Sequence, residues 1–192
     1  MNNQPVFILG VGAQKAGTSW LYKQLSQVSS VNFGVLKEYH IWDALHIEHC
    51  GRWIVDNALD KNPLEILRYL MQKSEDTYER YFFGLIDEKI NLTGDITPSY
   101  SALNTNQLKE VKLRLENIGF TVKVIFLMRD PVARNWSALR FYNRQSINKG
   151  SISDVIQTTL AYHIIILDEI YPEKELTFNE VKNDISETLN NF

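Results

Sequence analysis

The sequence has only one cysteine, Cys50, in 192 residues, which rules out an intrachain disulfide framework and fits a reducing compartment. Long apolar runs are also missing. The stretches at 6–11 and 164–167 fall far below the ~20 residues of a membrane span. The opening MNNQPVFILGVG has no basic n-region ahead of its short apolar run. The expectation is therefore a cytoplasmic protein with no membrane span. Nor is one sign of charge in large excess. Twenty Lys and Arg stand against 23 Asp and Glu, a formal net charge of −3. Such a balance gives no reason to expect nucleic acid as a partner, and any grip on an anion must be local. Repeats, low-complexity tracts and linkers are absent too. The length suits one domain, 1–192, with a sizeable core.

Apolar runs bounded by Gly and Pro alternate with segments of helical spacing. Strands are expected at 6–11, 31–36, 91–97 and 121–128. A helix is expected at 18–28, burying Trp20, Leu21, Leu25 and Val28. Residues 42–86 read as mostly helical, with Asn62 as N-cap and Pro63 in the first turn. Helices also fit 104–117, closed by Gly119, and a segment opened by Asp130-Pro131. Two more fit 153–170 and 179–190. Alternation of this kind predicts an α/β protein with a central parallel sheet flanked by helices, a three-layer arrangement. Ligands of such folds bind beyond the carboxyl ends of the strands.

The residues after the first expected strand read GVGAQKAGTSWLYKQL, 10–25. Backbone amides of a glycine-rich turn that runs into a helix N-terminus form an anion site. Lys15 adds a full charge, and Thr18 and Ser19 add hydroxyls expected to cap the helix. In the nucleotide loop G-x-x-x-x-G-K-[ST] the lysine follows the second glycine. Here Lys15 precedes Gly17, and Ala16 lies between them. The register K-x-G-T-[ST]-x-L resembles the 5′-phosphosulfate loop of sulfotransferases, P-loop-like enzymes that use 3′-phosphoadenosine 5′-phosphosulfate (PAPS). That resemblance implies a cofactor loop made of Gln14, Lys15, Ala16, Gly17, Thr18 and Ser19.

VIFLMRDPVARNWSALRFYNR, 124–144, places Arg129 at a strand end and Ser137 about two turns along the next helix. An arginine there can fork onto a phosphate, and it can equally pair with Asp130. Arg134, four residues after Asp130, suits an i,i+4 ion pair. R-D-P-x-x-R-x-x-S resembles the family's 3′-phosphate motif, which implies that Arg129 and Ser137 are phosphate ligands. LKEYHIWDA, 36–44, is similar to K-E-x-H-F-F-D of the heparan-sulfate-type branch. By that likeness Glu38 is the catalytic base, with His40 to orient it or serve as an alternative base, and Lys15 steadies charge during transfer. GDITPSYSAL, 94–103, matches the family's G-E-x-T-P-x-Y form at Asp95, Thr97, Pro98 and Tyr100, but has Ile96 where some members carry a lysine. Asp95 and Tyr100 are expected to shape the acceptor pocket or the cofactor loop.

The resemblance thus implies sulfuryl transfer from PAPS to a hydroxyl or amine of a small-molecule or glycan acceptor, with PAP as product and no metal. The sequence does not identify the acceptor. Trp42, Trp53, Tyr39 and Tyr100 are candidates for stacking on one or for the core. A P-loop kinase or NTPase, with Asp95 as a Mg²⁺ ligand, is the rival enzyme class. A PAPS-binding module without turnover is the other alternative, because residues 178–192 show no match to the basic glycine-rich segment that covers the 3′-phosphate in the family. His46, Glu48, His49 and Cys50 match no strong zinc spacing.

Overall fold

A computed structural model of the chain describes residues 4–59, 61–142, 156, 157, 162 and 163. Contacts divide the chain into two units, Met1–Leu139 and Arg140–Phe192. The first is a mixed α/β unit. Its sheet has three parallel strands in the order β2-β1-β3: β1 Val6–Gly12, β2 Leu92–Ile96 and β3 Thr121–Phe126. Central β1 is fully paired, with Leu9 opposite both Asp95 and Val124. Its near-continuous apolar run, buried from Phe7 to Gly12, is what a strand covered on both faces requires.

One face of the sheet carries the larger core. Phe7, Leu9, Tyr39, Trp42, Tyr78, Phe82, Tyr100, Leu115 and Phe120 pack there, with edge-on aromatic pairs such as Phe7–Phe82 at 5.0 Å. On the other face Ile8, Phe33 and Ile96 pack with Leu21, Tyr22 and Leu25 of α1 Thr18–Leu25. That contact corrects the expected stripe of α1. Trp20 is 40% and Val28 47% exposed, and Tyr22 takes the inward place by meeting Phe33 at 5.3 Å.

Local signals set the helix ends. In α3 Pro63–Lys73, Asn62 caps Leu64 and Glu65, and Glu65 answers as a capping box. Asn104 and Gln107 do the same for α5 Thr105–Asn117, and Gly119 follows in a left-handed conformation with φ 113°. Asp130 Oδ1 accepts from Ala133 N–H at 2.8 Å and opens α6 Pro131–Tyr142. Between α1 and α3 lie α2 Trp42–His46 and a 3-10 helix, Glu48–Trp53. α4 Thr77–Phe83 follows α3, and a second 3-10 helix, Pro98–Ala102, follows β2.

The expected strand at 31–36 is reduced to a single bridge, Val31 to Leu92. Asn32 Oδ1 takes the Gly34 amide at 2.9 Å and Gly34 turns left-handed, so the chain bends away after one pairing. In the second unit, Ile156–Gln157 (β4) pairs antiparallel with Tyr162–His163 (β5), where a helix over 153–170 was expected. The remainder of that helix, and the one at 179–190, lie outside the described residues. Among the described residues no helix is long and apolar enough to cross a membrane.

Candidate active site

The glycine-rich loop joins β1 to α1 at the carboxyl edge of the sheet. Gly12 accepts from Leu127 N–H at 2.7 Å, and Ala13 N–H donates back to Leu127 at 3.0 Å, which stitches the loop to the end of β3. Lys15 and Gly17 both adopt positive φ, 63° and 105°. Gly17 is the N-cap of α1, so the expected capping by Thr18 and Ser19 is corrected. Both lie inside the first turn, and no side chain caps the helix. The amides of Thr18, Ser19 and Trp20 therefore have no intrahelical carbonyl to meet. A Cβ built on Gly17 would touch nothing within 4 Å, so the loop is open on that side. Thr18 is buried, while Gln14 and Ser19 are exposed and Lys15 and Ala16 half-buried.

Arg129 reaches this loop. Its Nη1 donates to the Lys15 carbonyl at 3.3 Å across 114 residues of sequence. Among the described residues no ion pair joins Arg129 or Arg134 to Asp130. The Asp130 carboxylate is occupied by the cap of α6, and Arg134 meets residue 130 only through the helical bond from its own amide, at 2.9 Å. Ser137 is half-buried on α6. The structure thus brings Arg129 to the loop, and the Ser137 hydroxyl makes no hydrogen bond among the described residues.

The segment after the bridge at Val31 carries Glu38, His40 and Asp43. Lys37 Nζ contacts Glu38 Oε1, Glu38 Oε2 lies 3.4 Å from His40 Nε2, and His40 Nδ1 lies 2.7 Å from Asp43 Oδ2. Asp43 is fully buried, and its Oδ2 also accepts from Ser99 Oγ at 2.5 Å. One imidazole thus bridges two carboxylates, an arrangement that favours the doubly protonated ring. Burial by itself would pull the His40 pKa down, but the bonds to Asp43 and Glu38 prevail and raise it. Burial pushes Glu38 up, and hydrogen bonds from His40 and Lys37 more than reverse this, so its carboxyl titrates below the ordinary range. Asp43 is lowered in the same way by His40 and Ser99.

The 3-10 helix Pro98–Ala102 joins this relay to the loop. A Cβ on Gly12 would lie 2.9 Å from the Pro98 carbonyl and 3.1 Å from Ser101 Cβ, so the loop packs directly on that turn. From the same turn Ser99 holds Asp43. The contacts Gly12–Pro98, Ser99–Asp43, Asp43–His40 and His40–Glu38 form one continuous path. Trp53 covers His40, ring on ring at 4.1 Å and 7°, and Arg68 Nε donates to the Tyr39 carbonyl at 2.7 Å.

Asp95 departs from its expected place. It is fully buried, and its carboxylate accepts from Thr97 Oγ1 at 2.6 Å, Tyr100 at 2.7 Å and Tyr78 at 3.1 Å. Burial raises its pKa to about 6 against those bonds. Tyr39, Trp42 and Tyr100 are likewise core side chains. Neither Asp95 nor Tyr100 lines an open pocket; both brace the relay from beneath. The sequence signal missed Asp43 and Ser99, because their partnership spans 56 residues.

No family model matches the chain, and no curated sequence or solved structure resembles it at a significant level.

Proposed function

We propose that this chain is a PAPS-dependent sulfotransferase, with its three parallel strands at the centre of a three-layer P-loop-like fold. The reading fits a cytoplasmic enzyme that acts on a small-molecule or glycan acceptor. The observation that supports it most is the path from Gly12 through Pro98 and Ser99 to Asp43, His40 and Glu38. An open anion loop and an ionised carboxylate share one edge of the sheet.

Three groups suit a donor with anionic ends: the first-turn amides of α1, the Lys15 ammonium and the Arg129 guanidinium, which already contacts the loop. Ser137 would join Arg129 at the 3′-phosphate. PAPS supplies an activated sulfuryl group: the acceptor oxygen bonds to sulfur as the bond from sulfur to the phosphate oxygen breaks, and PAP leaves. Glu38 receives the acceptor proton. Its lowered pKa keeps it ionised at neutral pH, and His40, held between two carboxylates, fixes its Oε2. Lys15 and the loop amides offset charge on the transferred group and on the departing phosphate.

The kinase reading needs Asp95 as a metal ligand at the strand end. Its carboxylate is instead buried and accepts three hydroxyl donors, which weighs against that role. The test is a transfer assay with PAPS and acceptor pools in which released PAP is measured, with thermal shifts recorded for PAPS, PAP and Mg²⁺–ATP. PAP release with stabilisation by PAPS is expected. Stabilisation by Mg²⁺–ATP alone would overturn the proposal, and PAP binding without turnover would reduce it to a binding module.

A further inference from the structure

Beside the relay lies a concavity of about 320 Å³, lined among others by Arg52, Trp53, Asp56, Lys61, Glu65 and Arg68. Its size sits at the small end of small-molecule sites, which run from about 300 to 1,000 Å³. Two guanidinium groups converge on one indole: Arg52 Cζ lies 5.7 Å and Arg68 Cζ 5.2 Å from the Trp53 ring centre. Neither arginine has a carboxylate within ion-pair distance among the described residues. The acidic lining makes no ion pair with them among the described residues. Glu65 is engaged by Asn62 Nδ2 at 2.7 Å and by Lys61 at 3.8 Å, and Asp56 is exposed.

Arg68 is half-buried and spends its Nε on the Tyr39 carbonyl and its Nη2, at 3.5 Å, on the Glu38 carbonyl. Carbonyl oxygens accept these bonds without cancelling the charge. Burial draws the Arg68 pKa down, although the charges of Asp43, Glu65 and Asp95 oppose the shift. A half-buried cation without a carboxylate in ion-pair contact among the described residues invites an anion. The opposite side of the same wall is the relay, because Trp53 stacks on His40, whose Nε2 faces Glu38.

We propose that the concavity beside Trp53 is an anion subsite in which Arg52 and Arg68 hold the carboxylate of a small hydroxylated organic acid. Resting on the sulfotransferase reading, it names the acceptor class: a polyhydroxylated acid anchored by its carboxylate. A guanidinium fork suits the two oxygens of a carboxylate, which a neutral polyol cannot supply.

The test uses quinate, a ring acid with several hydroxyls, its neutral counterpart myo-inositol, and inorganic sulfate. Binding is followed by the indole N–H resonance of Trp53, assigned with Trp53→Phe. Quinate is expected to shift that resonance saturably and inositol not. Arg52→Ala, a change at an exposed side chain, should weaken quinate about tenfold. Arg68→Gln should weaken it at least as much if the variant folds, and Arg52→Ala alone decides the matter if it does not. Equal shifts by inositol, no effect of Arg52→Ala, or no shift with either quinate or sulfate would each overturn the subsite. PAP affinity of Arg52→Ala, measured by calorimetry, should equal that of the parent. Absence of PAP binding in both proteins tells against the sulfotransferase reading while the quinate result still judges the subsite.

Discussion

The Tyr100 hydroxyl donates to Asp95 Oδ2 at 2.7 Å and accepts from the Ile41 amide at 3.3 Å. Thr97 Oγ1 mirrors it, donating to Asp95 Oδ1 at 2.6 Å and accepting from the Tyr39 amide at 3.1 Å. The amides on either side of His40 are thus tied to one buried carboxylate. His40 between them has φ 55°, a left-handed conformation that costs a branched or bulky L-residue of order 1–2 kcal/mol. Asp95 therefore holds in place the backbone that presents the His40 ring to Glu38 and Asp43.

Asp95 takes up a proton on folding, since its pKa is raised from 3.8 to about 6. Its contribution to stability is therefore greatest at acid pH and declines as the pH rises from 3.8 through about 6. The shift is worth roughly 3 kcal/mol at ~1.4 kcal/mol per pH unit. Denaturant unfolding of the parent and Asp95→Asn at pH 4 and pH 7 (about the two limits) measures it. Their stability difference should move in favour of the parent at the acid end by about that amount, and a constant difference contradicts the assignment.

His40 carries the opposite chemistry with the same sign. Its folded pKa lies above its ordinary 6.5. The stabilisation from its two carboxylates is complete below that value and fades as the pH rises through the folded pKa. His40→Asn keeps a residue that tolerates left-handed backbone. Thermal melts should show it clearly weaker than the parent at pH 5.5, with the gap narrowing toward alkaline pH.

Glu38→Gln separates chemistry from binding. The amide keeps the shape and cannot receive the acceptor proton. Turnover should fall by about 10²–10⁴-fold with PAP affinity little changed. Retention of parental turnover would falsify Glu38 as the base.

Gly12 and Gly17 should respond differently to alanine. At Gly12 the new methyl would meet the Pro98 carbonyl at 2.9 Å on top of a φ of 129°. A loss of about 3 kcal/mol is expected, with weakened transfer because the Pro98 turn carries Ser99. At Gly17 the methyl finds open space, so only the cost of φ 105° remains, about 1–2 kcal/mol. Melting temperatures of the two variants give the order directly.

Much of the fold was legible. Asn62, Asn104 and Asp130 announce their helices because a cap needs only amides two or three residues away. Runs such as VFILGVG and TVKVIF read as strands because they are short, apolar or β-branched, and followed by glycine or loop. The strand expected at 31–36 failed for an equally local reason, since the Asn32 turn onto Gly34 competes with sheet pairing. The inward face of α1 was not legible. Its rotation follows the patch of Ile8, Phe33 and Ile96, which come from three separate segments.

The candidate site divides in the same way. The sequence by itself determined the loop between β1 and α1, the placement of Arg129 after β3, and Glu38 and His40 as neighbours. Each is a matter of adjacent residues and of strands that end where glycine, proline or charge ends them. Only the tertiary structure decided that Ser99 reaches Asp43, that Asp95 lies beneath the relay and that Trp53 and Arg68 wall it. Those contacts depend on parallel register, which lays Gly10 beside Ile96 and so seats the Pro98 turn against Gly12. Register is set by burying two faces of a sheet at once, a condition that no short stretch of sequence satisfies alone.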